Sequence, residues 1–262
     1  MHGARAHKES ILAEDESYGG ARPSARAGEM IRRHRLPTRI WHWVNVLAIV
    51  IMIGSGLMIS NAHAHLYWGI YGANYDPSWL DPPRFPGWMT IPTDYNLALA
   101  RRWHLTFALL FAFNLALFML LSLMNGHVIR DLRIRAREVS PRHLWADVRA
   151  HLKLRFHDAD NPAAYNILQK LSYVGVIFIV LPLLVFTGLT MSPGMNAAFP
   201  FLLDVFGGRQ SARSIHFICC WLVVAFIVVH LLLVVLAGPI NEIRSMITGK
   251  WRVPAEKRGE GA

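Results

Sequence analysis

Two histidines, His216 and His230, stand fourteen residues apart inside one apolar run near the end of the chain, and two other apolar runs each open with a histidine, His42 and His104. An ionisable or metal-binding side chain inside a bilayer is disfavoured unless it is used, so each is a functional hypothesis by default. At about 1.5 Å of rise and about 100° of turn per residue, fourteen positions set two imidazoles about 21 Å apart along a helix axis and only about 40° apart around it. His216 and His230 therefore share a face at opposite depths. If each opening histidine meets one of them, the four make two sites of two imidazoles. Bis-imidazole ligation leaves an iron no open coordination position, so a haem held that way passes electrons and neither binds substrate nor activates oxygen.

The elements that must position these residues are membrane helices. Among 262 residues, 53% are hydrophobic and the mean hydropathy is +0.30. The apolar residues come in four membrane-length runs, about 41–59, 103–124, 171–191 and 215–237, none of which contains Asp, Glu, Lys or Arg. The expectation is an all-α integral membrane protein, a four-helix bundle. Residues 1–38 are polar and mixed in charge, and no small-residue cleavage pattern follows the first run, which therefore reads as a retained helix and not a signal peptide.

A formal charge of +10 raises the possibility of nucleic acid as partner, but its distribution is that of membrane topology. Residues 1–39, 125–170 and 238–262 hold twenty-two Lys and Arg between them, against five (Arg84, Arg101, Arg102, Arg209, Arg213) in the other two connections. This bias predicts an N-in/C-in membrane protein with both termini cytoplasmic. Under that topology depth alone pairs the histidines: His42 with His230 near the cytoplasmic surface, His104 with His216 near the exoplasmic one. Arg39, Arg101, Arg102 and Arg213 lie at the matching ends, where haem propionates would need cationic partners, although arginines at span boundaries also simply snorkel. Gly54, Gly56 and Gly188 could leave room for a porphyrin face or let helices approach closely.

Three regions divide the chain: residues 1–34 as a mobile cytoplasmic extension, 35–250 as the four-span cytochrome domain, and 251–262 as a cytoplasmic tail. The connection 61–100 carries Trp68, Trp79, Trp88 and five prolines from Pro77 to Pro92, and reads as an ordered exoplasmic aromatic-rich cap. In "SPRHLWADVRAHL", Ser140 and Pro141 can start a helix on which Leu144, Trp145, Val148 and Leu152 recur at three or four residues, a cytoplasmic amphipathic helix. Pro182 should kink the third span. The adjacent Cys219 and Cys220 suit small residues in a packed helix and not a disulfide. His63 and His65 form an H-A-H pair that could bind a metal, with a solvated role the simpler reading.

Two alternatives come from other classes. Intramembrane histidines could relay protons or bind metal in a transporter or sensor, although proton relays usually include carboxylates. A stand-alone cytochrome could oxidise quinol and reduce a small soluble acceptor.

The Arg-x-x-His-Trp start of the first run (Arg39, His42, Trp43), the Arg-Trp-His start of the second (Arg102, Trp103, His104), the His216/His230 spacing and "YNILQK" (Tyr165–Lys170) together resemble one known group. It is the bacterial di-haem membrane cytochrome b subunits that anchor formate dehydrogenases, nickel-iron hydrogenases and thiosulfate-reductase-like molybdenum enzymes. The resemblance implies the same histidine pairing, with two haem b as cofactors and quinone or quinol as exchangeable substrate. It also implies a quinone pocket lined by Asn166, Gln169 and Lys170 beside the cytoplasmic haem. "TGLTMSPG" (Thr187–Gly194) and "GGRQSARSIH" (Gly207–His216) look most like the thiosulfate-reductase-like branch, whose partner is a molybdopterin oxidoreductase. The exoplasmic cap would then dock that redox partner subunit. The only chemistry on this chain would be quinone redox chemistry, with no catalytic residues beyond that pocket.

Overall fold

The structure, a computed structural model, describes residues 28–124, Trp145 and 167–253. The extension through residue 27, the amphipathic helix expected after Ser140 (Trp145 apart) and the last residues of the tail lie outside the described residues. Two compact units emerge: the spans and their connections over Ile40–Ala237, and the flanking segments through Arg39 and from Gly238 onward.

Four helical spans make up the larger unit, as the apolar runs predict. The first is α1 (Leu36–Ala62) and the second α2 (Leu97–Met124). The third comprises α3 (Ile167–Gly175), a π turn at Val176–Val180, and α4 (Leu181–Met191). Short helices α5 (Pro193–Ala198) and α6 (Phe201–Val205) lead to the fourth, α7 (Arg209–Ala237). At 27, 28 and 29 residues, α1, α2 and α7 are each roughly 40 Å long and extend beyond a hydrocarbon core of about 30 Å. The π turn sits directly before Pro182. A proline ring crowds the carbonyl four residues back, here that of Phe178, and a widened turn accommodates it within the span.

All four spans meet at one core: Ala48 from α1, Phe111 and Leu115 from α2, Leu181 from α4 and Val223 from α7. Trp41 of α1 stacks on Phe118 of α2 with ring centres 4.1 Å apart and donates its Nε1–H to the Asn114 carbonyl. The outer faces carry large apolar side chains with no protein cover, among them Val50, Phe113, Ile179 and Val228. Such continuous apolar exposure on every span is what a lipid solvent requires.

The connection 63–96 folds over one end of the bundle and is tied to it by specific bonds. Asn61 exchanges two hydrogen bonds with the backbone of Phe85, and Leu66 pairs with Leu80 in an isolated antiparallel bridge. Trp79 donates its indole N–H to Ser214 Oγ, which in turn donates to the Tyr67 carbonyl. The free N–H groups of Gln210 and Ser211, at the start of α7, converge on the Gly69 carbonyl. Gly208 must be glycine here: its φ is +109°, and a Cβ would stand 2.6 Å from that same carbonyl oxygen. Gly54 is required for packing, since a Cβ on it would fall 2.7 Å from the Ile91 side chain. It makes room for the cap, and not for a cofactor.

In the smaller unit, β1 (Met30–Arg32) pairs antiparallel with β2 (Lys250–Arg252), a pairing that hydrophobic periodicity did not suggest. Between them in sequence, α8 (Pro239–Thr248) presents Glu242, whose carboxylate accepts from Arg33 at 3.1 Å on both oxygens and from Trp251 Nε1 at 2.9 Å. Arg33 also lies over the Trp251 ring, 4.9 Å from its centre.

Candidate functional site

His104, on the second turn of α2, and His216, on the second turn of α7, meet inside the cap end of the bundle. Their ring centres are 6.2 Å apart and their planes are turned 62° from each other. A metal bound about 2 Å from one nitrogen of each imidazole would hold the two ring centres roughly 6 Å apart, so the separation suits a shared iron.

The neighbouring spans dictate which nitrogen of each ring is free. His104 Nδ1 lies 3.1 Å from the Met52 carbonyl and 3.2 Å from Ser55 Oγ, both on α1. A carbonyl can only accept, so Nδ1 carries the proton. Ser55 spends its own hydroxyl hydrogen on the Ile51 carbonyl at 2.6 Å, which leaves its oxygen to accept from the imidazole. His216 repeats this on the third span. Its Nδ1 is 3.0 Å from Thr187 Oγ1, and the backbone of Leu184 is a second acceptor. Thr187 donates to the Leu183 carbonyl at 2.5 Å. Ser55, Thr187 and Ala48 have no solvent exposure at all. In both rings Nε2 is thereby left as the unprotonated nitrogen, the form in which imidazole binds a metal.

Each brace ends in a glycine against the ring it holds. A Cβ on Gly56 would contact His104 Cε1 at 3.4 Å, and one on Gly188 would contact His216 Cε1 at 3.5 Å. The carbonyl, hydroxyl and glycine fall at the same offsets on both spans: Met52, Ser55, Gly56 and Leu184, Thr187, Gly188. Sequence reasoning notes the two glycines and misses the two hydroxyls. A Ser or Thr in a span ordinarily bonds back to its own helix, so its presence is uninformative. The available signal was the repeated hydroxyl-Gly-Leu tripeptide, at Ser55–Leu57 and Thr187–Leu189.

Toward the other end of the bundle lie His42 on α1 and His230 on α7. His230 stacks on Phe226, with centres 5.9 Å apart and planes 13° from parallel. His42 packs edge-on to Trp43. Its Nδ1 is buried and has no hydrogen-bond partner among the described residues, a polar atom that fits a ligand role or a bridging group better than a packing role.

The arginines divide. Arg213 donates to the His63 carbonyl and to Gln210 Oε1, which places it over the His104/His216 end. Arg39 is engaged on the last turn of α8, donating to the carbonyls of Met246 and Ile247, where a cation complements the helix terminus. Arg101 and Arg102 sit on the first turn and a half of α2, with Arg102 exposed. Asn166 and the side chains of Gln169 and Lys170 lie outside the described residues. His63 and His65 are engaged separately: His65 Nδ1 is 2.7 Å from Asp81 Oδ1, while His63 is kept below its ordinary pKa by burial and by nearby Arg213 and Arg101. Asp81 is held below the usual carboxylate range by bonds from Ser78 and His65.

A family model described as prokaryotic cytochrome b561 matches residues 33–249. A protein of Azospira oryzae named as a protein-methionine-sulfoxide reductase subunit, YedZ1, is 30% identical over 205 residues, covering 76% of this chain and 87% of that one. A protein of Cupriavidus necator named as a Ni/Fe-hydrogenase B-type cytochrome subunit is 21% identical over 88% of this chain and 90% of its own length. A cytochrome of Escherichia coli named YdhU is 28% identical over 86% of this chain and 76% of its own length. No solved structure gives a significant match.

Proposed function

Because the chain belongs to the prokaryotic cytochrome b561 family, we propose that it is an electron-transfer subunit carrying two b-type haems, linking a quinone pool to a redox partner across the membrane. The family makes it a membrane cytochrome with b-type haem, and its relatives bear the names of hydrogenase and reductase subunits. The finer assignments are our own. His104 and His216 would hold one haem, His42 and His230 the other. A haem so held exchanges single electrons and offers no open position to a substrate.

One observation carries this reading: two partly buried imidazoles from different spans lie with ring centres 6.2 Å apart and both Nδ1 atoms already committed to neighbouring acceptors. None of the four spans contains a carboxylate to continue a proton relay. Helix α7 sets the two sites about 21 Å apart along its axis.

The Lys and Arg bias supports placing the cap and the His104/His216 site on the exoplasmic side, where the cap would dock the partner, a molybdopterin-type oxidoreductase. Asn166, Gln169 and Lys170, at the cytoplasmic start of the third span, would line the quinone pocket. Arg213 and Arg102 would serve propionates at the exoplasmic site and Arg39 at the cytoplasmic one.

The pairing is tested by optical spectra of single variants. His104→Ala and His216→Ala should remove the same spectral component, and His42→Ala and His230→Ala the other. Loss of different components within either pair would contradict the assignment.

A further inference from the structure

The histidines have received a role, but the hydroxyls that hold two of them have not. Ser55 and Thr187 occupy equivalent places: each has no solvent exposure, each gives its hydrogen to its own helix, and each offers its oxygen to a histidine Nδ1 on the next span. A hydroxyl needing only to satisfy itself would stop at the back-bond, 2.6 Å to Ile51 for Ser55 and 2.5 Å to Leu183 for Thr187. These two go further and share the imidazole proton with a carbonyl three residues earlier, of Met52 or of Leu184.

We propose that Ser55 and Thr187 are positioning residues that lock both imidazoles of the His104/His216 site in the Nδ1–H form and hold that site's reduction potential down. This rests on the reading that the pair binds a haem. The physical basis is the basicity of the ligand. An acceptor pulling on Nδ1–H makes Nε2 a stronger donor, which favours the oxidised, more positively charged iron. Two acceptors per ring, on both rings, apply that pull four times over. Removing one hydroxyl leaves the ring with its carbonyl alone, so the potential should rise. His42 has no such brace among the described residues, so the second site serves as an internal control. The brace also fixes ring orientation, since the carbonyl and the hydroxyl oxygen together define the plane in which Nδ1–H must point, and the two rings stand 62° apart.

The test is a redox titration of the full-length chain in nanodiscs, with optical detection and low-temperature EPR of the oxidised form, on Ser55→Ala, Thr187→Val, the double variant and Thr187→Ser. Ser55→Ala and Thr187→Val remove an oxygen with little change of shape. The expected result is wild-type haem content and an upward shift in the midpoint of one component only, larger in the double variant. The g-values of that same component should move, because they follow the angle between the imidazole planes. Thr187→Ser keeps the oxygen and should keep both the potential and the signal. If Thr187→Val loses one haem while Thr187→Ser retains it, the hydroxyl is likewise shown to hold the ligand. Unchanged midpoints and g-values at full haem content would overturn the proposal, as would equal losses in Thr187→Val and Thr187→Ser. A wild-type chain without haem would instead overturn the functional reading on which the proposal rests.

Discussion

At His104 and His216 the decisive contact is made by Nδ1, the nitrogen bonded to the neighbouring span. Met52 and Leu184 contribute only backbone carbonyls, so nothing about their side chains could mark them in the sequence. The histidines themselves were legible because imidazole is rare inside spans and a fourteen-residue separation has a simple helical meaning. Ser55 and Thr187 were not, because a hydroxyl within a helix satisfies itself locally as often as it reaches a neighbour. Arg39 was singled out for its position next to His42, but its bonds to the carbonyls of α8 were not legible, because those acceptors are backbone groups far along the chain. At Glu242 one carboxylate serves Arg33 and Trp251 together. Glu242→Gln should destabilise the pairing of β1 with β2 by about 1–2 kcal/mol, the worth of a charge-assisted bond at a partly buried site. Hydrogen exchange at residues 28–33 and 250–253 would read this as faster labelling there with no change in the spans.

The spans themselves were readable to within a few residues, because apolar runs of bilayer length leave little freedom in what they form. The π turn before Pro182 was foreseen only as a kink, since the sequence names the proline but not how the preceding turn yields to it. The cap was recognisable as ordered from its aromatic content, yet its attachments were not, being made by backbone groups of Gly69, Tyr67 and Phe85. Gly54→Val should dislodge Ile91 and loosen the cap, which limited proteolysis within residues 63–96 would detect as faster cleavage. The cap should also respond to acid. His63 has a folded pKa below its ordinary 6.5, so between that value and its folded pKa the unfolded form binds the extra proton and stability falls with falling pH. Asp81, depressed below 3.8, contributes in the same direction only at much lower pH. Protection of the cap amides, relative to their intrinsic exchange rates at each pH, should therefore fall below about pH 6.5, and His63→Asn should remove that response while leaving any change below pH 4 in place.

Across the whole molecule, apolar side chains without protein cover on all four spans require lipid, and membership in the prokaryotic cytochrome b561 family gives that membrane protein its electron-transfer role. What remains ours is the count of haems, their ligands, the quinone and the partner. An anchor subunit should bring a second polypeptide with it when extracted from its own membrane in mild detergent, whereas a stand-alone cytochrome should purify alone with full quinol-oxidising activity. The central claim is that four histidines hold two haems, and it is tested most directly by a pyridine haemochrome assay on the purified chain, scaled to polypeptide by amino-acid analysis. Close to two b haems per chain is the expected result. One would mean that a histidine pair serves structure alone, and either that or none would contradict the four-ligand assignment.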